Sequence, residues 1–275
     1  LYQPITLDKL EQATLPKRTD TKFVLPISQL GLILQQTVGD YAMLYIKESG
    51  IQRYHTLYFD TPDHQFYLAH HNGRLNRYKI RIRRYIDSDF CCLEVKFKNT
   101  FGQTVKSRIP IPKLYHDLTS LACLENVKNF MQQTFPCHHK DLKPNVSNHF
   151  QRITLVHKHD IERVTIDLSL HFSSPMQNDT ATPDLVENRE PISTFQTISP
   201  LLALVEIKQE RFSMRSSFLR QMRTAHININ PTSFSKYCIG ATLLNPHLKA
   251  NNFKPILLHA QKVASQMNDY QSNLF

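Results

Sequence analysis

Between residues 77 and 108 the basic side chains fall at every second position. Lys79, Arg81 and Arg83 alternate in YKIRIRRY, Lys96 and Lys98 in LEVKFK, and Lys106 and Arg108 in VKSR. A period of two is that of a β-strand, so each set stands on one face of its strand. Guanidinium groups hold phosphate oxygens in pairs, and ammonium groups neutralise them as point charges. The chemistry such a face would do is to hold a long phosphate polyanion.

The register of the strands decides whether these sets meet. A two-residue turn at Ser88-Asp89 would place Arg83 opposite Glu94, Arg81 opposite Lys96 and Lys79 opposite Lys98. A second turn over residues 99–103, containing Gly102, would pair Lys98 with Thr104, Lys96 with Lys106 and Glu94 with Arg108. The alternation recurs in Arg18, Asp20 and Lys22, in Arg163, Thr165 and Asp167, and in Glu206 and Lys208. A turn over residues 158–161 would set Arg152 opposite Asp167.

This face collects twelve cations (Arg18, Lys22, Lys79, Arg81, Arg83, Lys96, Lys98, Lys106, Arg108, Arg152, Arg163, Lys208) against four carboxylates (Asp20, Glu94, Asp167, Glu206). The wet face of an ordinary sheet mixes signs, because like charges directly opposite destabilise it. Repeated cations point instead to an eight-stranded antiparallel β-barrel, a tunnel with a charged interior and helices packed outside. The carboxylates suggest a site for Mg²⁺ or Mn²⁺ bridging phosphate oxygens, at Glu206 first, with Asp20, Glu94 and Asp167 as further candidates.

The elements required by that reading are legible. Strand-like runs cover 18–25, 53–60, 77–86, 90–98, 104–111, 150–157, 162–170 and 202–209. Helical spacing covers 26–40, two segments within 112–135, and 216–225, 232–243 and 255–267. Residues 173–194 are polar and read as a surface excursion between two strands. The class is α+β, and we expect one domain over 1–275 with its core in 18–240.

Composition sets the outer limits. The 275 residues carry a formal charge of +10, with an isoelectric point near 9.4, which favours an anionic partner. Five cysteines without a C-x-x-C pair support neither a disulfide framework nor a zinc knuckle, and a reducing cytoplasm is expected. CHH at 137–139 and HKH at 157–159 lack partners at ligand spacing. Neither a P-loop nor a G-x-G-x-x-G is present. Nucleic acid is not expected, because Tyr54, Tyr58, Tyr78 and Tyr85 read as strand-packing residues.

In their order and spacing, RTDTKF, YHTLYFDT, YKIRIRRY, CLEVKFK with VKSR, QRITL with ERVTIDLSL, LVEIK and SFSKY resemble the triphosphate tunnel metalloenzymes. The nearest likeness is to their vacuolar transporter chaperone (VTC) polyphosphate polymerase branch, over roughly residues 18–240. That resemblance implies metal-dependent transfer of the ATP γ-phosphate to a growing polyphosphate chain. Lys22, Arg81, Arg83, Lys96 and Glu206 would carry the catalysis. Lys79, Lys106, Arg108, Arg152 and Arg163 would grip phosphates, and Lys236 of SFSKY would reach into a tunnel mouth from the start of a helix.

The implied partners are ATP, polyphosphate, triphosphate or pyrophosphate, and a membrane protein outside this chain. The hydrolytic branches resemble one another in an E-x-E-x-K strand; here Arg18-Thr19-Asp20-Thr21-Lys22 keeps one carboxylate, which fits transfer better than hydrolysis. Ser233 stands where a second helix lysine is expected. The alternatives are a tunnel triphosphatase and a non-catalytic polyphosphate-binding module.

Overall fold

A computed structural model of the chain describes residues 1–12, 18–112, 121–134, 141–175 and 196–272. In chain order the elements are β1 (Gln3–Ile5), α1 (Leu7–Gln12), β2 (Thr19–Pro26), α2 (Ile27–Thr37), β3 (Tyr41–Leu44), β4 (Ile51–Asp60), α3 (Gln65–His71), β5 (Arg77–Tyr85), β6 (Phe90–Lys98), β7 (Thr104–Pro110), α4 (Leu121–Thr134), β8 (Lys143–His157), β9 (Glu162–Ser173), β10 (Leu202–Gln209), α5 (Ser217–Thr224), α6 (Lys236–Leu244) and α7 (Lys254–Ser272). The predicted α+β class holds. Residues 113–120, CHH and most of the polar excursion lie outside the described residues.

Eight strands form one antiparallel path, β2-β10-β9-β8-β4-β5-β6-β7. β1 runs parallel to β3, and β3 takes over along β8 where β4 ends, with Tyr41 opposite His157 and Ile51 opposite Ile153.

The expected closed barrel is corrected here. The path ends at β2 and β7, which do not pair with each other, so the sheet is an open, curled trough. Its walls nevertheless face one another: Lys106 on β7 lies in the field of Arg18 and Asp20 on the β2 side. β7 ends in Pro110, which has no N–H to donate to a further strand.

The outer, convex face is apolar and covered in two parts. Phe23, Leu25, Val164, Ile166, Val205 and Ile207 pack with Leu30 and Ile33 of α2 and Phe218 and Met222 of α5. Leu57, Phe59, Ile80, Ile82, Leu93 and Val95 pack with Phe66 of α3 and Val127 and Met131 of α4. Alternation therefore sorts apolar residues outward and leaves the remaining parity to line the trough.

The trough is not charged throughout, as the sequence reading expected. On β2, β10 and β9 the inward residues change from Lys22, Glu206 and Asp167 to Val24, Leu204, Leu170 and Phe172. A bulge makes this switch on β9: register slips between His149 and Gln151 of β8, opposite Ser169, whose φ is +50°. That apolar end is filled by α6 through Phe234, Tyr237, Cys238 and Ala241. Gly240 permits the approach, since an added Cβ would stand 2.5 Å from Phe172 and 2.8 Å from Val146.

The register of the first hairpin also differs from expectation. Tyr85 pairs with Phe90, leaving a four-residue turn in which only Asp89 has positive φ. A two-residue turn of the favoured type would need positive φ at Ser88 as well. The longer turn frees Asp87 to bind the Arg53 side chain at 2.8 Å and its backbone N–H at 2.5 Å. Consequently Arg81, not Arg83, stands opposite Glu94, and Lys79 stands opposite Lys96. The second hairpin has the expected register.

Candidate active site

One wall of the trough comes from β2, β10, β9 and β8, and each of its carboxylates has a cationic partner. Arg152 grips Asp167 with both limbs, Nε at 2.5 Å and Nη2 at 2.8 Å, as the sequence register predicted. Lys236, at the first position of α6, donates to Oδ2 of the same carboxylate, the oxygen that also accepts from Arg152 Nη2. Burial alone would raise the Asp167 carboxyl, but Arg152 and Lys236 outweigh it and hold it well below the usual range. Beside it, Lys208 donates to Glu206, whose other oxygen lies 3.9 Å from Lys22 Nζ. These lysines overcome the effect of burial and keep Glu206 ionised.

The other wall, from β5, β6 and β7, is short of anions. Glu94 accepts from Arg81 Nε at 2.6 Å and lies 4.0 Å from Arg108. Desolvation opposes its ionisation, yet Arg81 and Arg83 bring its pKa down to about 2. The next row holds three lysines in register, Lys79, Lys96 and Lys106. Arg81, then burial, depresses the Lys96 ammonium to about 6, and burial depresses Lys79 to about 8. Lys98 closes this face beside Arg77.

The start of α6 bridges the walls. Ser235 caps the helix and accepts from Lys79 Nζ at 3.0 Å, while Lys22 Nζ donates to the Phe234 carbonyl at 2.8 Å. Burial, partly offset by Asp167, lowers Lys236 to about 7. Tyr54 and Phe150 stack at 5.0 Å under Arg83 and Arg152, and Lys236 Nζ lies 4.8 Å from the Phe150 ring. These aromatic faces attract the cations set over them.

The structure thus places Lys22, Lys79, Arg81, Arg83, Lys96, Lys106, Arg108, Arg152, Arg163, Lys208 and Lys236 around one trough. The charge of Glu206 is felt on both walls, by Arg152 on its own and by Lys96 on the other. Arg163 lies in the field of Arg18, Arg152 and Asp20 at the end of the trough away from α6. Ser233 is exposed just before α6.

The donor set constrains any divalent metal. Among the described residues no group of three acidic, His or Cys side chains is arranged to hold one. Asp167 and Glu94 are taken up by guanidinium groups, and Asp20 binds Arg18 at 2.9 Å. Glu206 is held by lysines only, and Asp20 is its diagonal neighbour across β10 and β2. Such a set fits Mg²⁺ or Mn²⁺ that arrives with phosphate oxygens and takes one or two carboxylates from the protein.

Several contributors gave no sequence signal. Tyr54 read only as strand packing, and Phe150 and Ser235 drew no reading. Tyr237 binds Asp60, whose carboxylate also accepts from the N–H groups of Phe66 and Tyr67 at 2.9 Å each. This buried link ties α6 to α3 and β4, and thereby fixes where Lys236 points.

The chain was compared with known proteins. No curated protein matches it. Among solved structures, a Hippeastrum protein whose dominant activity is that of a triphosphatase shares 14% identity at a TM-score of 0.48, over 82% of this chain and 96% of its own. A Bacillus halodurans protein shares 14% at 0.48, over 80% and 95%. The VTC domain model matches residues 17–245, most of the chain and every strand that lines the trough. This chain belongs to the VTC domain family.

Proposed function

We propose that this protein is a metal-dependent polyphosphate polymerase, transferring the γ-phosphate of ATP to a polyphosphate chain lying in the trough. The observation that carries the reading is the row Lys79, Lys96 and Lys106, faced across the trough by a single available carboxylate, Glu206. A binding face for a neutral or cationic ligand would not crowd ammonium groups in register.

Phosphoryl transfer needs in-line placement and neutralisation of the transferred group rather than a protein nucleophile. Arg81, Arg83, Arg152 and Arg163 bind phosphate oxygens in pairs, and Lys22, Lys79, Lys96 and Lys106 neutralise the charge left over. Arg108, Lys98 and Lys208 extend that field to the margins. Lys236 and Arg152, positioned by Asp167, orient the chain at the α6 end. Glu206, with Asp20 diagonal to it, would hold Mg²⁺ or Mn²⁺, which when bound would supply charge neutralisation at the phosphates. The acceptor's terminal phosphate oxygen is the nucleophile, so the step forms one P–O bond and breaks the β,γ bond of ATP.

The test is to incubate the protein with ATP and Mn²⁺ and follow ADP, free phosphate and long-chain polyphosphate together. ADP with accumulating chains is the expected result. Free phosphate without chains makes the protein a triphosphatase, and binding without turnover makes it a polyanion-binding module. A membrane-protein partner that accepts the chain, and cytoplasmic exposure of the trough, belong to the same proposal. No helix among the described residues is long and apolar enough to cross a membrane.

A further inference from the structure

Beyond Arg152 and Arg163 the floor of the trough does not stop. Along β8 the inward parity runs Arg152, Thr154, Val156, since Ile153 and Leu155 belong to the outer core. Val156 is opposite Arg163 on β9 and opposite Ala42 on β3, and Ala42 is opposite Gln3 on β1. One continuous face therefore leads from the arginines of the trough across β8 and β3 to β1. That face opens into a groove of about 410 Å³ lined by Gln3, Ile5, Lys9, Ala42, Val156 and residues 157–159.

The groove has a cationic rim. Lys9 and His159 are exposed, and Lys158 Nζ donates to the carbonyls of Val38 at 3.3 Å and Gly39 at 2.8 Å. His157 accepts backbone N–H groups of His159 and Asp160, and its Nε2 lies 3.7 Å from the Asp160 carboxylate. The HKH run at 157–159 thus has a place: it ends β8 where the groove begins.

We propose that this groove is a distal subsite for an inorganic phosphate chain too long for the trough, so that the protein binds long chains more tightly than short ones. The inference rests on the trough being a polyanion site. From Arg152 to His157 is five strand residues, roughly 16 Å of added path. A flexible polyanion leaving Arg163 meets Val156 and the groove next, and each further cation adds affinity without touching the reacting end. An extended acidic peptide is the competing occupant, and charge alone would suit it; continuity with the phosphate-binding arginines favours the inorganic chain.

The experiment measures dissociation constants at low salt for tripolyphosphate and for polyphosphate of about sixty units, in the wild type and in Lys9→Glu/His159→Glu. The expected result is tripolyphosphate affinity within twofold of wild type and long-chain affinity weakened about tenfold, the scale of one reversed and one added surface charge unscreened by salt. Gln3→Trp, which obstructs the groove without changing charge, should reproduce the long-chain loss. Equal affinity of the wild type for both chains, or long-chain binding untouched by both variants, overturns the subsite and leaves the trough intact. Wild-type binding to neither chain would overturn the trough and the subsite together. An acidic peptide competing with long chains but not with tripolyphosphate would give the groove to a peptide.

Discussion

The two walls of the trough are built from the same residue types and differ in how their charge is balanced. On the β2-β10-β9-β8 wall each buried carboxylate meets two cations, Asp167 with Arg152 and Lys236, Glu206 with Lys208 and Lys22. On the β5-β6-β7 wall Glu94 stands among Arg81, Arg83, Lys96 and Arg108, and the row of three lysines next to it carries no carboxylate. The first wall has its buried carboxylates paired without a ligand, while Arg163 at its end stays repelled by Arg18 and Arg152. The second holds unrelieved repulsion, which a polyanion would remove, so binding free energy comes from a cost already present in the empty protein.

The largest effect should come from breaking the paired wall. Asp167→Asn leaves Arg152 and Lys236 buried without their anion, and should lower stability by about 3–5 kcal/mol, measured by denaturant unfolding. A loss under about 1 kcal/mol would mean that water, not Asp167, balances those cations.

Next in size is Glu206→Gln, which keeps the shape of the side chain and removes its charge. Turnover with ATP and Mn²⁺ should fall by about two orders of magnitude or more while tripolyphosphate binding persists, the pattern for a group that holds a metal at the transferred phosphate. Undiminished turnover would take Glu206 out of the mechanism.

On the other wall a substitution should act in the opposite sense. Lys96→Met removes from the crowded row an amine whose charge is disfavoured there, so the ligand-free protein should gain about 1 kcal/mol while tripolyphosphate affinity drops about tenfold. Destabilisation by this variant would show that the row is not repulsive.

The smallest effect is a pH slope. Lys79 and Lys96 titrate at about 8 and about 6 in the folded chain, below the roughly 10.4 of an unfolded lysine. Between those values the unfolded chain binds more protons, so stability should rise as pH goes from 7 to 9, where ordinary histidines no longer titrate. A melting temperature that climbs in wild type and climbs less in Lys96→Met would confirm the sign. A falling melting temperature over that range would reverse it.

Much of the trough was legible because alternation in a strand is a local property. The outer core and the inward cations follow from it directly, and so do the Arg152–Asp167 pair and the second hairpin, where Gly102 with φ +74° marks the turn. The first hairpin was misread because Ser88-Asp89 looks like a two-residue turn, whereas Asp87 is engaged by Arg53 on another strand. The apolar end of the trough was hidden by the bulge at Ser169, which changes the parity of β9 without a glycine to announce it. The short β1 and β3 carry too few residues to show a period.

The sequence by itself determined the class of the fold, the parity of nearly every strand, and a net positive face suited to phosphate, because a period of two and a count of charges need no partner. Only the tertiary structure decided which cation has a carboxylate and which does not, that the sheet curls without closing, and that α6 fills one end while a groove continues from the other. Those outcomes depend on register, a bulge and the approach of distant segments, where a shift of two residues leaves the face unchanged but exchanges every partner.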